Sequence, residues 1–313
     1  MKTVFDEVAD VADVSGASAT KLHAGITLQQ HALADTLAGL VVASLIDEAT
    51  LTPKPGLVDM RSRGAHHDLS WSLMCDSAWA LRPEFYAMAL AGLRISERVQ
   101  LRESIGQSGR AADARMLQVT GGVNTHRGAI WALGLLVTAA AQALAANRVE
   151  AVTAQVIARR AGVLAQTPDQ YAPLYSGNKG EAACAMYDVG GARAQAQAGF
   201  PQVLANALPW LISSRERGDK ETHARLNALL AVIAVLDDTC VLSRAGLAGL
   251  TSVQSGAARI LSLGGAASAQ GKIALTQFEA DLLALHVSPG GAADLLAATL
   301  FLDRIVTLVV AVS

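Results

Sequence analysis

The stretch GAIWALGLLVTAAAQALAAN, residues 128–147, decides the fold. It carries no charged side chain, and its apolar residues are mostly alanine and leucine. A segment of about 20 such residues is also long enough to cross a bilayer. Its many alanines, the polar Gln142 and the polar loop TGGVNTHRG directly before it favour a buried central helix instead. A membrane span stays open as the alternative.

The rest of the chain repeats this helical pattern. Apolar residues make up 52% of the 313 residues and aromatics only 4%, a composition that suits packed helices better than sheets. Apolar positions recur with helical spacing, and no alternating strand pattern stands out. We therefore predict an all-α fold, a single compact multi-helix domain with a polar pocket built from inter-helix loops. The predicted helices lie near 29–50, 68–81, 83–100, 104–118, 127–147, 149–166, 178–198, 200–217, 219–240, 244–263, 272–286 and 289–311.

Charge and cysteine content exclude several classes of protein. Lys plus Arg number 25 against 27 Asp plus Glu, so no broad basic surface for nucleic acid or an anionic membrane is predicted. Cys75, Cys184 and Cys240 lie far apart without metal-ligand spacing, which predicts free thiols in a reducing cytoplasm. Residues 1–28 resemble a loose lead-in without the pattern of a secretory signal.

Five polar, glycine-containing segments interrupt the helical pattern and carry the candidate site residues. They are EATLTPKPGLVDMRSRGAHHD (48–68), TGGVNTHRG (120–128), LYSGNKGE (174–181), DDTCVLSRAG (237–246) and HVSPGGAAD (286–294). Turns need glycine, proline and asparagine, but they do not need the titratable groups found here. A helical protein would build a polar pocket from such loops.

The segment TGGVNTHRG has two interpretations. Gly121 and Gly122 would let backbone N–H groups approach an anion at the start of the next helix, with Asn124 and Arg127 beside it. Alternatively, the glycines end one helix and Asn124 or Thr125 caps the next.

The other segments are similarly ambiguous. Lys54, held between two prolines, and Lys179 suit phosphate, but each would also serve as a solvated loop residue. Asp237 and Asp238 lie about 100° apart if both are helical, so at most one is a close ligand. In SPGGAAD, Ser288 and Pro289 fit an ordinary helix start with Ser288 as the N-cap.

Together the segments hold carboxylates and cations without a Cys/His cluster. Carboxylates of this kind favour Mg²⁺ over zinc. Mg²⁺ with Lys, Arg and glycine-rich helix starts is typical of sites for a nucleoside triphosphate. The strand–helix framework of common NTPases is missing, so we predict a helical nucleotide-using enzyme of an unusual type.

The motifs TPKPGLVD, GAHHD, TGGVNTHRGAI, DDTCVLSRAG and SPGGAADLLAATLFL, in this order, resemble the triphosphoribosyl-dephospho-coenzyme A synthase family. The resemblance spans about residues 46–302. The chain departs from the pattern at Cys240, where Asn is expected, and at Ala245, where Gly is expected. Arg127 stands at a position that is often Lys.

The resemblance implies an all-helical transferase that joins ATP to 3′-dephospho-CoA and releases adenine, with 29–313 as the catalytic domain. The product would pass to a carrier-protein transferase and serve the acyl carrier subunit of citrate lyase or malonate decarboxylase. No membrane or nucleic-acid partner is implied. The apolar segment 297–313 would support a homodimer or simply form a buried helix.

The implied site divides into three sets of residues. The catalytic candidates, which would act as base and assist adenine, are Glu48, Asp68, His66 and His126. The substrate-binding candidates are Lys54, Gly121, Gly122, Asn124, Arg127, Lys179, Arg244, Gly290 and Gly291. The candidate ligands of Mg²⁺ are Asp59, Glu181, Asp238 and Asp294.

Two other classes of function stay open. A helical Mg²⁺-dependent glycohydrolase would use the same carboxylates with water and would need no second substrate. A non-catalytic nucleotide-binding module would bind ATP without turnover.

Overall fold

The computed structural model describes residues 27–146, 152–173 and 177–312. Most of the predicted lead-in, 1–26, lies outside these ranges. The described residues form helices and no strand, which confirms the all-α prediction. The helices are α1 (Leu28–Thr50), α2 (Trp71–Ala80), α3 (Arg82–Arg94), α4 (Arg98–Val119), α5 (Arg127–Ala145), α6 (Ala154–Gln166), α7 (Lys179–Tyr187), α8 (Gly191–Gln197), α9 (Leu208–Glu216), α10 (Glu221–Ile233), α11 (Thr239–Ser262), α12 (Ala269–Ala284) and α13 (Gly290–Val312).

Helix α5 lies at the centre of the helical bundle. It packs against α1, α3, α4, α6 and α13. Within the described ranges it is the one helix long and apolar enough to cross a membrane, and 72% of that window is buried by the protein itself. Gly92 of α3 lies where an added Cβ would come 2.5 Å from the carbonyl oxygen of Thr138. The small residues therefore let these two helices approach closely, as the buried-helix prediction requires.

The predicted helix over 178–198 is two helices. Asp188 ends α7 in the left-handed conformation with φ of 53°, and Gly191 also has a positive φ. Short polar side chains and glycine tolerate this conformation better than other residues. The alanines on either side keep the helical spacing, so the sequence pattern did not indicate that the helix ends between them.

Two further helix boundaries differ from prediction. A π-helical turn, Val203–Ala207, precedes α9, whose second residue is Pro209; because proline has no N–H, it cannot continue the regular bonding pattern. The predicted helix 219–240 ends at Ile233, so Asp238 is not helical but the N-cap of α11. Helix α11 then kinks at Gly246, with φ of 63° and ψ of −166°.

One end of the bundle gathers residues from distant parts of the chain. The C-terminal end of α1 meets the starts of α5 and α13, since Glu48 and Asp294 interact and Asp294 approaches Gly128. The start of α11 joins α13 through Asp238. The loop 51–70 returns to the same end, where Gly56 lies against the carbonyl oxygen of Val287. The start of α7 is adjacent, since a Cβ added at Gly180 would lie 3.6 Å from Thr239 Oγ1. Described residues of all five predicted polar segments thus come together around this end.

Candidate active site

A buried ion pair lies at the centre of this end. The Lys54 ammonium group donates to the carbonyl oxygen of Glu48 at 2.7 Å and also to its carboxylate. Lys54 and Glu48 are only 2% and 3% exposed. A buried pair must offset a large desolvation cost and is often no more stabilising than apolar residues. Its presence at the meeting point of the polar loops therefore favours a functional role for both groups.

His126 lies beside this pair, immediately before α5. Its Nδ1 is 3.0 Å from the Ser77 hydroxyl, which is itself 2.7 Å from the Thr125 hydroxyl. Burial and the nearby charge of Lys54 lower the pKa of His126 to about 3, so the ring is neutral at physiological pH. Its Nε2 is buried and has no hydrogen-bond partner in the protein. Buried polar atoms normally have a partner, so this atom is a candidate to bind substrate.

Asp294 approaches the first turn of α5 from α13. A Cβ added at Gly128 would lie 2.0 Å from Asp294 Oδ2, so only glycine leaves room for the carboxyl group. Burial raises the pKa of Asp294 well above its usual range, and the charges of Glu48 and Asp238 raise it further, although the backbone N–H of Ala129 opposes the shift. The partly buried Asp294 therefore shares one region with two other carboxylates.

Asp238 joins two helix starts. Its Oδ1 accepts from the N–H of Cys240 at 2.8 Å and its Oδ2 from the N–H of Ala292 at 3.0 Å. Burial raises the pKa of this carboxyl, while the backbone donors oppose the rise. Helix α13 is thus capped by a residue of another segment. The expectation that Ser288 caps it is wrong, because the buried Ser288 hydroxyl has no hydrogen-bond partner.

Gly290 and Gly291 permit this close packing at the start of α13. A Cβ at Gly290 would lie 3.0 Å from Cys240 Sγ, and a Cβ at Gly291 would lie 3.2 Å from the Asp238 carboxylate. Burial raises the pKa of the Cys240 thiol, as do the charges of Asp238 and Asp294. The thiol therefore packs against glycine inside the joint between α11 and α13.

The four candidate metal ligands are not gathered in one place. The buried Asp59 carboxylate accepts from the N–H groups of Lys54, Arg61 and Ser62 and from the Arg61 side chain. Glu181 accepts from the N–H of Gly177 at the start of α7. In the ranges that the structure describes, no three His, Cys, Asp or Glu side chains are arranged to hold one metal ion. A site built from all four carboxylates therefore does not fit this geometry.

The predicted cations differ in their contacts. Arg127 forms a bidentate pair with Asp113 of α4, at 2.8 and 2.9 Å. Lys179 is exposed at the start of α7, and the exposed Arg244 donates to the carbonyl oxygen of Ser288 at 3.5 Å. Only Lys54 of these four lies in the buried centre.

The predicted anion loop before α5 is built mainly from local caps. Gly121 and Gly122 have positive φ, and the N–H of Gly122 donates to the carbonyl oxygen of Leu117 at 2.7 Å, which is the Schellman motif that ends a helix. Asn124 accepts from the N–H of Arg127. Both glycines are exposed with open space beside them.

His66 and Asp68 lie at the rim. Their closest side-chain atoms are 3.8 Å apart, and the Asp68 side chain is 64% exposed. Burial lowers the pKa of His66, and so does the charge of Arg244, against the opposing charge of Asp68. The exposed Asp68 is therefore less suited than Glu48 to act away from water.

Sequence reasoning missed two residues of the centre. Ser77 fixes the His126 ring, but a serine inside a helix gives no signal of that role. Gly128 stands in the first turn of an otherwise strongly helical stretch, where alanine would be the better helix former. A glycine at such a position indicates that another group approaches the helix closely, and this is the signal that could have identified Gly128.

Comparison with known proteins gives a consistent result. The CitG family, described as ATP:dephospho-CoA triphosphoribosyl transferase, matches residues 34–310. A Klebsiella pneumoniae protein named 2-(5''-triphosphoribosyl)-3'-dephosphocoenzyme-A synthase is 53% identical over 269 residues, covering 86% of this chain and 94% of that protein. Probable synthases of the same name from Azotobacter vinelandii and Pseudomonas putida are 53% identical over 283 and 273 residues, covering 89% and 87% of this chain and 94% and 95% of theirs. No solved structure shows a significant match.

Proposed function

The chain belongs to the CitG family of ATP:dephospho-CoA triphosphoribosyl transferases, and we propose that the group of Glu48, Lys54, His126 and Asp294 is its catalytic centre. The enzyme is a transferase that makes triphosphoribosyl-dephospho-CoA from ATP and dephospho-CoA. One observation carries the assignment of the centre. The unpartnered His126 Nε2 lies beside a buried lysine whose carboxylate partner faces a second carboxylate.

The proposed reaction is a glycosyl transfer. The 2′-hydroxyl of 3′-dephospho-CoA attacks the anomeric carbon of the ATP ribose, the bond to adenine breaks, and the triphosphate stays intact. Such displacements pass through a positively charged, oxocarbenium-like sugar. Carboxylates stabilise this charge, and one of them accepts the hydroxyl proton. We assign this role of base to Glu48, because its carboxylate is buried and held by Lys54. Adenine leaves one proton short, and the proton released from the hydroxyl group restores the balance when Glu48 gives it up.

His126 is proposed to assist the departing adenine by hydrogen bonding. With a pKa near 3, the ring has no extra proton to give. If the Ser77 hydroxyl donates to Nδ1, the tautomer places a proton on Nε2, which then donates a hydrogen bond to an adenine nitrogen. Thr125 supports this arrangement because its hydroxyl contacts Ser77 on the other side.

Mg²⁺ is proposed to enter with ATP rather than to reside in a site of the protein. Magnesium bound to a nucleotide takes most of its ligands from phosphate and water, with one or two carboxylates from the protein. Asp294 suits that smaller requirement, which leaves Glu48 free to act as the base. When bound, the ion would neutralise phosphate charge. Titration of activity against Mg²⁺ after treatment with a chelator tests this expectation.

The direct test measures adenine and product together. The protein is incubated with ATP, Mg²⁺ and 3′-dephospho-CoA, adenine is followed by chromatography and the product by mass. Adenine release that depends on dephospho-CoA, with three phosphates retained, supports the synthase. Adenine release without dephospho-CoA would indicate a glycohydrolase, and ATP binding without turnover would indicate a binding module.

Two variants test the proposed centre within the same assay. Glu48→Gln removes the carboxylate charge at nearly constant shape, and we expect a loss in kcat of about 100-fold or more for a general base. Asp68→Asn makes the matched change on the exposed rim and is expected to keep wild-type kcat. Equal kcat values for the two variants would contradict the assignment of Glu48.

The product is proposed to pass to a carrier-protein transferase that serves malonate decarboxylase or citrate lyase, in the cytoplasm. Both carrier systems use the same precursor, so neighbouring genes would distinguish them. Free thiols at Cys75, Cys184 and Cys240 suit a reducing compartment. A homodimer through 297–313 also stays a prediction. Most of the first part of that segment is buried within the protein, and the solution mass tests it.

A further inference from the structure

We propose that Arg102, Arg110 and Arg193 form a subsite for the polyphosphate chain of a substrate, where α4, α5 and α8 come together. The inference rests on the proposed function, because it assigns a part of the same substrates to a second place on the protein. None of these arginines lies in the polar segments that the sequence singled out. Of the four cations predicted from sequence, Lys54 and Arg127 are already paired with carboxylates of the protein.

The cluster has more guanidinium groups than its contacting carboxylate can satisfy. Asp169 accepts from Arg110 at 2.8 Å and from Arg102 at 3.3 Å. Burial lowers the pKa of Arg102 against the opposing charge of Asp169, and the nearby charges of Arg110 and Arg193 lower it further. Arg193 itself forms no ion pair with any residue of the described ranges. Two guanidinium groups on one carboxylate, with the charge of a third nearby, leave an excess of positive charge that an anion would satisfy.

Arg102 is held in place rather than solvated. Its guanidinium carbon lies 5.4 Å from the centre of the Trp131 ring, a cation–π contact. The side chain is 9% exposed, and its buried Nε has no hydrogen-bond partner in the protein. An unpaired donor on a buried charged group is costly, so the fold maintains this group at a cost to stability.

The position of the cluster connects it with the catalytic centre. Trp131 lies one helical turn after Arg127 on α5, and Arg110 lies one turn before Asp113 on α4. The bidentate pair of Arg127 and Asp113 therefore lies between the cluster and His126 along the two helices. Five residues of helix separate His126 from Trp131, a rise of about 7.5 Å, and a triphosphate or diphosphate chain is long enough to span it while the sugar stays at the centre.

A purely structural role explains only part of the cluster. Asp169 with Arg110 would fasten the loop after α6 to α4, where an added Cβ on Gly106 would come 2.0 Å from the Asp169 carboxylate. That role requires one arginine. It accounts neither for the unpaired Arg193 nor for the buried Nε of Arg102.

Variants of the two accessible arginines test the proposal. Arg193→Gln and Arg110→Gln are compared with Arg98→Gln, which makes the same change at an exposed position of α4. Binding of inorganic tripolyphosphate is measured by calorimetry, and thermal denaturation confirms folding. Because each lost charge-assisted hydrogen bond weakens binding by about 10-fold or more, we expect the Kd to rise to that extent in both test variants and to stay unchanged in Arg98→Gln. Arg193→Gln is decisive if Arg110→Gln unfolds, since Arg193 supports no ion pair.

Steady-state kinetics identify the source of the phosphates. A rise in KM for ATP with unchanged KM for dephospho-CoA assigns the subsite to the triphosphate, and the reverse assigns it to the diphosphate of dephospho-CoA. Folded variants with wild-type Kd and both KM values unchanged would overturn the subsite. A protein that binds tripolyphosphate through these arginines but does not transfer the triphosphoribosyl group would retain the subsite and lose the proposed function.

Discussion

Replacing Gly128 with alanine tests the geometry of the catalytic centre most sharply. The new Cβ would lie 2.0 Å from Asp294 Oδ2, whereas real Cβ atoms do not come within 3.0 Å of another heavy atom. The carboxyl group must therefore move by about 1 Å, and it would lose the N–H of Ala129. Displacements of about 1 Å near a reacting centre can lower rates about 100-fold, which is the expected loss in kcat.

The effect of this change on stability should be small. Loss of the hydrogen bond to Ala129 costs about 1–2 kcal/mol, and the preference of helices for alanine over glycine returns about 1 kcal/mol. We therefore expect the free energy of unfolding to fall by about 1 kcal/mol or less. A large rate loss with a nearly unchanged fold separates misplacement of Asp294 from general destabilisation.

Gly39→Ala provides the matched control. Gly39 lies within α1 and has no atom within 4 Å of its added Cβ. This variant should gain up to about 1 kcal/mol from helix preference alone and keep wild-type kcat. The assay is adenine release with both substrates, together with urea denaturation of each variant. A folded Gly128→Ala protein with the kcat of Gly39→Ala would refute the placement of Asp294 in the catalytic centre.

Three further changes have defined outcomes. The pKa of His126 is lowered to about 3 in the folded protein, below about 6.5 in the unfolded chain, so its contribution to stability is complete above pH 6.5 and is lost as pH falls. Wild type should lose about 2 kcal/mol more than His126→Gln between pH 7.5 and 5, measured by urea denaturation. In Asp238→Asn the side chain keeps only one acceptor oxygen for the N–H groups of Cys240 and Ala292, which lie at two helix starts. This change should lower the free energy of unfolding by about 1–3 kcal/mol in the same assay. Cys240→Asn, which introduces the residue expected from the family resemblance, should keep wild-type adenine release because Asp238 bonds the backbone of Cys240 and not its thiol.

The fold was predictable because its main determinant is local. Alanine and leucine at helical spacing, with few aromatics, leave helices as the only elements that bury this chain well. The errors lie where a single backbone conformation decides the boundary. Asp188 and Gly246 adopt positive or irregular backbone angles inside periodic sequence, and helical periodicity does not report such angles. The sequence shows Pro209, but it does not predict that the turn before this proline is π-helical.

The candidate site was predictable only as a set of loops. The polar segments indicated Glu48, Lys54, His126 and Asp294 without indicating that these four meet, because they come from three segments far apart in sequence. Asp59 and Arg127 looked equally suitable. In the structure Asp59 is paired with Arg61, and Arg127 is paired with Asp113. The pattern of a single sequence does not show which charged residues become neighbours in the folded protein.

The distribution of charge explains why the motif residues divide into two groups. Around the centre, Lys54 is paired with only one carboxylate, while Asp294 and Asp238 approach helix starts whose N–H groups partly compensate their charge. By contrast, Arg127 forms a bidentate contact with Asp113, and Arg61 donates through Nε and Nη2 to Asp59 Oδ2 and through Nη2 to Glu279. Ligand binding needs groups whose hydrogen-bonding capacity the protein leaves unfilled, and His126 Nε2 and Arg102 Nε are such atoms. His126 directly precedes α5 and Arg102 packs on Trp131 of the same helix, so the two atoms are placed to bind the reacting sugar and the phosphate chain of one substrate in the proposed arrangement.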